Sequence, residues 1–346
     1  METLLRRLQE NLNNKLPFAV YAKPGTDYIT GIFQLEDTAY LLENFTQKGF
    51  VFAPFADGEA PFIPFEKSEI IEAKFTLSDT GTPVTSDVEP QLEAKSHFEQ
   101  LVQKCVAEIK TGAFDKLVAS RTEFVATQKS VTDIYITLLH TYPNAFRYCF
   151  FHPVSGLWMG ATPEQLLKAS GNEVATVALA GTQIYNPSVE AVWGTKEKEE
   201  QQFVTDYIVQ RLHNITKDVN VSLPYTFRAG NIVHIKTDIQ AQLQNNTDLG
   251  DIITLLHPTP AVCGLPKEQA RDFLLGNEGY NREYYSGYLG ELNREESSDL
   301  FVNLRCMKVS EQNAQLFIGC GITKDSIPEK EFYETVNKSM TMGRVL

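Results

Sequence analysis

A carboxylate stands directly after a Thr-Pro turn in the segment MGATPEQL, where Glu164 follows Pro163. The aromatic run FFHPVSGLW precedes the turn, and a proline restricts the residue before it and offers no N–H to a strand ladder. The next side chain therefore emerges at the rim of a sheet. Two interpretations stay open: Glu164 begins a helix, where it meets the positive end of the macrodipole, or it is a chemically active acid.

Two further acids lie at the start of a predicted long helix, TKEKEEQQFVTDYIVQRL, whose Val204, Ile208 and Leu212 form an apolar stripe. Extending this stripe backwards by four residues reaches Glu200, and Glu197 lies three residues earlier. Charge runs of this kind usually form a solvated helix face. Acids that continue a buried stripe are costly unless a cation or a metal ion lies opposite them, so both are candidate ligands.

The last predicted helix, PEKEFYETVNKSMTM, carries a second pair of acids. Ser326 followed by Glu329 has the pattern of a capping box at its start. Glu331, Glu334 and Lys338 then lie along one face at i, i+3 and i+7, although pairing within the helix explains Glu334 and Lys338 equally well. Two glutamate pairs on two helices, with only oxygen ligands, would suit Mg²⁺.

Four other residues could bind or move charge. Arg305 lies in the predicted strand LFVNLRCMKV, where an unpaired guanidinium is costly, so it is either salt-bridged or carboxylate-binding. Gly319 and Gly321 in IGCGIT let backbone N–H groups approach an anion, although GxGxxG is absent and GCG is common. Lys116 heads the strand KLVASR; such a lysine is usually exposed, but a buried one near other cations could act as a base.

The chain that must position these side chains has 346 residues, of which 42% are hydrophobic and 22% charged, as is typical of a globular protein. Its net charge of −13 argues against nucleic acid or an anionic membrane as partner, because both need a basic face. An anionic small substrate would require local positive charge. No apolar stretch reaches the roughly 18 residues of a membrane span.

The cysteines and the N-terminus predict a cytoplasmic protein. The five cysteines are odd in number, far apart and mostly inside apolar runs, which indicates thiols of a reducing compartment. No pattern with zinc spacing occurs, and METLLRRLQENLNN lacks the apolar core of a signal peptide. No large exposed apolar helix suggests an obligate partner, so we expect a monomer.

Short strand candidates separated by turns fill the first 95 or so residues, and the polar segment SDTGTPVTSDVEP predicts an exposed connection. From Ser96 onwards, helices alternate with hairpin-linked strands, which predicts an α+β fold with large antiparallel sheets and not a βαβ array. We expect residues 1–95 to be a β-rich scaffold and residues 96–346 the catalytic part, the two folding as one unit.

Ten sequence blocks follow one another in one register between Ser96 and Met342. They read KLVASR, GATPE, ALAGT, KEKEE, HIKT, LHPTPAVCGLPK, NREYYSG, LRC, GCGI and PEKEFYETVNK. In this order they resemble the chorismate-utilising enzymes, and the chain looks like an isochorismate synthase, a family that shares its fold with anthranilate, aminodeoxychorismate and salicylate synthases. The resemblance implies a two-layer antiparallel β-sheet sandwich with helices on the outside.

The resemblance also implies a hydroxyl transfer in which water adds at C2 of chorismate while the C4 hydroxyl departs. Such a reaction needs a base and an acid on opposite sides of the ring. By similarity, Lys116 is the base that activates water and Glu164 the acid that protonates the leaving hydroxyl. Burial at the end of an aromatic strand can keep Glu164 protonated, because desolvation disfavours the carboxylate.

A bound Mg²⁺ is implied as well, held by Glu200 and Glu334 with Glu197 and Glu331 beside them, and contacting the ring carboxylate of chorismate. Arg305, Tyr285 and the backbone around the two glycines look like the clamp for the pyruvyl carboxylate. The positions implied to contact substrate are Ala180, Gly181, Thr182, His234, Ala261, Tyr285, Arg305, Gly319, Gly321 and Lys338.

Three positions distinguish members of the family. Ala180 stands where aminodeoxychorismate synthases carry a nucleophilic lysine, and Lys116 where anthranilate synthases have glutamine, which favours water over an amine or ammonia as nucleophile. Ala261 stands where aminating and salicylate-forming relatives tend to have threonine. The resemblance therefore favours hydroxyl transfer without pyruvate elimination and without a glutaminase subunit.

Two other functions remain open. A salicylate synthase would release pyruvate, which Ala261 disfavours. A non-catalytic chorismate-binding protein would be stabilised by its ligand without turnover, which intact Lys116 and Glu164 disfavour. The resemblance favours menaquinone synthesis as the pathway, with a catechol siderophore route as the alternative.

Overall fold

The computed structural model describes residues 1–76, 92–229, 232–244 and 247–346. The polar segment 78–90, predicted to be an exposed connection, lies outside these ranges. Besides a short 3-10 helix at Phe65–Lys67, the helices are α1 (Glu2–Asn13), α2 (Leu92–Lys110), α3 (Val131–Thr141), α4 (Thr195–His213), α5 (Leu249–Leu256), α6 (Lys267–Asn277) and α7 (Pro328–Gly343).

Half of the strands form a first antiparallel sheet. They are β1 (Phe18–Ala22), β2 (Tyr28–Gln34), β5 (Ser68–Lys74), β6 (Lys116–Ala126), β7 (Phe146–His152), β8 (Gly156–Thr162), β14 (Gly264–Leu265), β17 (Cys306–Val309) and β18 (Asn313–Ile322). Their spatial order is β14-β6-β18-β17-β8-β7-β1-β2-β5. The longest pairing joins β6 to β18 and places Gly319 opposite Ser120 and Gly321 opposite Val118.

The other strands form a second antiparallel sheet. They are β3 (Gly49–Ala53), β4 (Phe62–Pro64), β9 (Gln165–Ser170), β10 (Glu173–Ile184), β11 (Thr216–Val221), β12 (Tyr225–Ala229), β13 (Ile232–Leu243), β15 (Tyr288–Arg294) and β16 (Ser297–Val302). The order is β11-β13-β10-β9-β16-β15-β3-β4, with β12 also paired to β13. The β10–β13 register shifts between Ala180 and Gln183, so a bulge interrupts the ladder beside Gly181.

An aromatic core joins the two sheets face to face. Alternate residues of a strand share one side, so Phe146 and Phe150 of β7 point to the same face. Their rings meet side chains of the second sheet: Phe150 lies 4.6 Å from Phe52 and Phe146 lies 4.3 Å from Phe301, measured between ring centroids. These contacts bury large aromatic surfaces between the layers and hold them together.

Helices cover the outer faces of both sheets. On the first sheet, Leu4 and Leu8 of α1 pack with Leu138 of α3 and with outward-facing strand residues. On the second sheet, the predicted stripe of α4, which includes Val204 and Ile208, is buried together with residues of α5. The expected α+β sandwich with two large antiparallel sheets and external helices is therefore confirmed.

Strands from the first 95 residues belong to both sheets, because β1 pairs with β7 and β3 pairs with β15. This pairing favours a single folding unit, and the division at residue 95 stays a prediction. All the cysteines, Cys105, Cys149, Cys263, Cys306 and Cys320, are buried free thiols. No helix in the described ranges is long and apolar enough to cross a membrane.

The structure decides one open alternative and corrects two local predictions. Glu164 does not begin a helix but lies between β8 and β9, because the chain continues directly into the second sheet. Arg305 is not inside a strand: it lies between β16 and β17 with a φ of +48°, an unusual backbone conformation for an L-residue. Ser326 does not cap α7; its hydroxyl accepts the N–H of Thr323, and Glu329 pairs with Lys95 instead.

Candidate active site

A cavity that opens to solvent lies between strands of both sheets and helices α4 and α7. All ten predicted substrate contacts line it: Ala180, Gly181, Thr182, His234, Ala261, Tyr285, Arg305, Gly319, Gly321 and Lys338. Glu164 and Glu200 line it as well. Lys116, Glu197, Glu331 and Glu334 lie outside this lining.

Glu164 brings a buried carboxyl to the cavity wall. Its backbone carbonyl accepts the N–H of Val302 at 2.9 Å, which fixes the turn between the two sheets, and the residue is only 3% exposed. Burial raises the pKa of Glu164 to about 8, although the positive charges of Lys116 and Arg305 oppose the shift. The carboxyl is therefore largely protonated at neutral pH and can donate a proton.

Lys116 lies behind Glu200 and not at the surface. As the first residue of β6 it is fully buried, and its Nζ lies 3.0 Å from Glu200 Oε1. The pKa of Glu200 is lowered, because the charges of Lys116 and Lys196 outweigh the effect of burial, which alone would raise it. Glu200 thus connects the buried ammonium to the cavity.

The two glycines of IGCGIT make room for neighbouring side chains. A Cβ added to Gly321 would lie 2.0 Å from Glu200 Oε1, and one added to Gly319 would lie 2.7 Å from the Tyr285 hydroxyl. Lys338 Nζ also donates to the carbonyl of Gly319 at 3.1 Å and to Glu334 Oε1 at 2.7 Å. The absence of a side chain at Gly319 and Gly321 therefore lets Glu200 and Tyr285 approach this strand, and the Gly319 carbonyl holds Lys338 at the cavity.

Arg305 is held by a neutral histidine. Its Nη2 lies 3.2 Å from His234 Nε2, and His234 Nδ1 lies 2.7 Å from the carbonyl of Gly181. Because a carbonyl only accepts, Nδ1 carries the proton and Nε2 accepts from the guanidinium. Burial, followed by the charge of Arg305, lowers the pKa of His234 and keeps it neutral. Arg305 makes no salt bridge to any described residue, which leaves donors for an anion.

Three lysines each pair with one of the four acids predicted as metal ligands. Lys116 pairs with Glu200, Lys338 with Glu334, and Lys196 Nζ with Glu331 Oε1 at 2.5 Å. Among the residues that the structure describes, no three His, Cys, Asp or Glu side chains are arranged to hold a metal ion. Each of the three ammonium groups compensates the charge of one of these carboxylates.

The donor chemistry of these acids nevertheless fits a hard cation. Glu331 is almost completely buried, and its Oε2 has no hydrogen-bond partner. Burial and the charge of Glu334 raise the pKa of Glu331, while Lys196 and a hydrogen bond from the Ser326 side chain to the carboxylate oppose the shift. Glu197 packs over Gly181, where an added Cβ would lie 3.1 Å from the glutamate Cβ. The four side chains therefore supply only oxygen ligands, which suits Mg²⁺.

A buried ion pair supports the cavity wall, and sequence reasoning missed it. Arg282 donates to both carboxylate oxygens of Glu278, and also to the backbone carbonyls of Val118 and Val262, both of which line the cavity. Glu278 in turn accepts from Ser120. The spacing of Glu278 and Arg282, i and i+4 in NEGYNR, was the only local signal for it.

Lys196 was also missed, because it lies in a charge run that resembles a solvated helix face. Lys196 directly precedes Glu197 in the first turn of α4, at the end of this helix that carries the proposed ligands. This position was the sequence signal that could have identified it. Burial alone would lower the pKa of Lys196, but Glu331, Glu334 and Glu200 together raise it.

A cavity between two antiparallel sheets, with a protonated carboxyl on one wall and an arginine free to bind an anion, defines a site for a small anionic molecule. Residues 66–346 match the model of the chorismate binding enzyme family. The chain therefore belongs to this family.

Named relatives are similar over most of the chain. It is 31% identical over 278 residues to isochorismate synthase MenF of Escherichia coli K12, covering 77% of this chain and 64% of that protein. It is 28% identical over 283 residues to isochorismate synthase EntC of the same strain, covering 79% and 72%. The chain thus spans less than two thirds of the length of MenF.

Solved structures share the fold. Menaquinone-specific isochorismate synthase MenF of Escherichia coli superposes with a TM-score of 0.77 at 22% identity, covering 95% of this chain and 88% of that one. Anthranilate synthase component I of Streptococcus pneumoniae gives a TM-score of 0.69 at 19% identity, covering 94% and 90%. The sandwich therefore occurs in relatives named for different reactions.

Proposed function

We propose that the protein is an isochorismate synthase that converts chorismate to isochorismate. The observation that carries this proposal is Glu164: a carboxyl that is 3% exposed, faces the cavity and has its pKa raised to about 8 by burial. A hydroxyl is a far better leaving group when it is protonated, and this carboxyl can supply the proton at neutral pH. The names of the relatives support the same reaction.

In the proposed reaction, water forms a bond to C2 of chorismate and gives up a proton, the ring double bonds shift, and the C4–O bond breaks as the departing hydroxyl takes a proton. Lys116, in its neutral amine form, is the proposed acceptor of the first proton, and Glu164, in its protonated form, is the proposed donor of the second. Arg305, held by His234, is the proposed partner of the pyruvyl carboxylate. Each proton that leaves the water is balanced by one given to the leaving group.

We further propose that Mg²⁺ is the cofactor, held by Glu200 and Glu334 with Glu197 and Glu331 beside them. When bound, it would bind the ring carboxylate of the substrate and neutralise its charge. The buried, unpartnered Oε2 of Glu331 supports this assignment. Lys116, Lys196, Lys338 and Arg305 add positive charge around the cavity, so a dianion can enter a protein whose net charge is −13.

The test is incubation of the purified protein with chorismate and Mg²⁺, followed by chromatography. We expect a new isomer of the same mass and no pyruvate in a coupled lactate dehydrogenase assay. Lys116→Ala and Glu164→Gln should both fold and lose turnover. Pyruvate release would replace the proposal with a salicylate synthase, and thermal stabilisation by chorismate without any product would replace it with a non-catalytic binding protein.

We propose that the enzyme acts in the cytoplasm as a monomer without a glutaminase subunit. The buried free thiols support a reducing compartment. Ala180 in the cavity wall, with no lysine in its place, supports a reaction that uses water and not an amine. The menaquinone-specific relative supports menaquinone synthesis as the pathway, with catechol siderophore synthesis as the alternative.

A further inference from the structure

Lys196 is the only one of the three lysines beside the site glutamates that combines a strong ion pair with substantial access to solvent. Its side chain is 28% exposed, against 12% for Lys338 and none for Lys116. Lys338 is also tied to the carbonyl of Gly319, whereas the ammonium of Lys196 makes one described contact, to Glu331 Oε1. Lys196 can therefore swing out without breaking other bonds.

The partner of Lys196 is only half satisfied. Glu331 lies on α7, its side chain is 3% exposed, and Oε2 has no hydrogen-bond partner while Oε1 contacts the ammonium at 2.5 Å. A buried carboxylate oxygen without a partner is costly. A single ammonium cannot satisfy both oxygens of Glu331 and also serve Glu334 and Glu200, whereas a divalent cation binds several carboxylate oxygens at once.

From this geometry we propose that Lys196 is an internal counter-cation that occupies the acid site in the absence of metal and leaves Glu331 when a divalent cation binds. This inference rests on the metal site of the proposed function. It assigns Lys196 the role of a positioning residue: it holds α4 against α7 in the metal-free protein and competes with the metal for the same carboxylates.

If Lys196 and the metal ion compete for the same carboxylates, each must weaken the binding of the other. If the ammonium and the metal exclude one another, removing the ammonium tightens metal binding by the same factor by which metal weakens the ion pair. We expect Lys196→Met, which keeps the apolar stem, to tighten Mn²⁺ binding roughly tenfold. Lys196→Arg, which keeps the charge, should bind Mn²⁺ as the unchanged protein does. Lys198→Met makes the same chemical change at an exposed position two residues on and should have no effect.

The experiment is a Mn²⁺ titration followed by electron paramagnetic resonance, together with thermal unfolding in EDTA and in saturating Mn²⁺. In EDTA, Lys196→Met should melt at a lower temperature than the unchanged protein, because Glu331 has lost its cation. Saturating Mn²⁺ should raise the melting temperature of Lys196→Met by more than it raises that of the unchanged protein. An unchanged or weaker Mn²⁺ affinity, with equal loss of stability in both conditions, would make Lys196 a simple crosslink and overturn the inference.

Failure of this inference is separable from failure of the proposed function, because the titration contains no chorismate. If the unchanged protein forms isochorismate but Lys196→Met does not bind Mn²⁺ more tightly, only the role of Lys196 is wrong. If no isomer forms but the variant binds Mn²⁺ more tightly, the reaction is wrong and the competition stands. If none of the proteins binds Mn²⁺, the inference is overturned together with the metal assignment.

Discussion

Lys116 Nζ and Glu200 Oε1 lie 3.0 Å apart, and this contact joins the first residue of β6 to helix α4. The lysine has no exposed surface, whereas its partner Glu200 lines the cavity. The residue proposed as base and a residue proposed as metal ligand therefore share one ion pair. Anything that moves Glu200 should affect proton transfer and cation binding together.

Gly321→Ala tests this coupling. The added Cβ would lie 2.0 Å from Glu200 Oε1, so the carboxylate must leave its present position beside Lys116, whereas the backbone of Gly321 is not in the left-handed region. We expect turnover of chorismate to fall roughly 100-fold, as misplaced catalytic groups do. Stability should fall by only about 1–3 kcal/mol, because only a side-chain end is displaced. Steady-state kinetics and urea denaturation measure the two effects.

Gly276→Ala is the matched control. An added Cβ at this position in α6 meets nothing within 4 Å, so the same substitution should leave turnover unchanged and gain up to about 1 kcal/mol of helix stability. Full turnover in Gly321→Ala, or an equal loss in Gly276→Ala, would contradict the assigned role of Glu200.

Glu164 predicts an alkaline limit to activity. Its pKa is about 8 and its proposed role needs the protonated form, so kcat/KM should fall as pH rises above about 8. Glu164→Gln cannot donate a proton and should lose about 10²–10⁴-fold in rate, with a residual activity that lacks this limb. A pH–rate profile of both proteins is the measurement. An identical alkaline limb in Glu164→Gln would assign the limb to another group.

The same carboxyl predicts a pH dependence of stability. Its folded pKa of about 8 lies above the ordinary 4.5, so the unfolded chain ionises first and stability is lost as pH rises from about 4.5 to 8. Glu164→Gln lacks this loss. Relative to the unchanged protein, the free energy of unfolding of Glu164→Gln should be about the same at pH 4 and higher by the order of a few kcal/mol at pH 8. A gain independent of pH, measured by denaturant titration, would rule out the shifted pKa.

His234 should matter for substrate binding more than for chemistry. Its Nε2 accepts from Arg305 Nη2 at 3.2 Å, and removing this acceptor frees a guanidinium that is proposed to hold a carboxylate equally in ground and transition states. We expect His234→Leu to raise KM for chorismate about tenfold with a smaller change in kcat. His234→Gln, which keeps an acceptor and a donor, should recover part of the loss. A fall in kcat at constant KM would instead indicate a direct role in catalysis.

Arg282 carries a structural prediction that needs no substrate. It is fully buried against Glu278, so Arg282→Met leaves a buried carboxylate without its cation and should cost about 3–5 kcal/mol of the free energy of unfolding. Adding Glu278→Gln to this variant should recover part of the loss, because the unpaired charge is removed. Urea denaturation of the two variants measures the difference, and equal stabilities would show that the pair is not coupled.

The sequence alone nominated many of the residues that line the cavity, although the predicted Lys116, Glu197, Glu331 and Glu334 lie outside its lining. Hairpin-linked strands predicted the antiparallel sheets, and the ordered blocks that resemble chorismate-utilising enzymes contain all ten predicted substrate positions, which line the cavity. These features are readable because strand faces repeat every two residues and motifs keep their order along the chain. Glu164 at a sheet rim followed from the same local reasoning.

Only the tertiary structure decided how those residues are charged and held. Lys196 meets Glu331, and Arg282 meets the carbonyl of Val118, across long stretches of chain that no local periodicity connects. Arg305 interrupts the predicted strand because the chain passes there from β16 of the second sheet to β17 of the first. Burial sets the protonation of Glu164, and burial is a property of the assembled fold, so a sequence can nominate an acid but the packed structure makes it one.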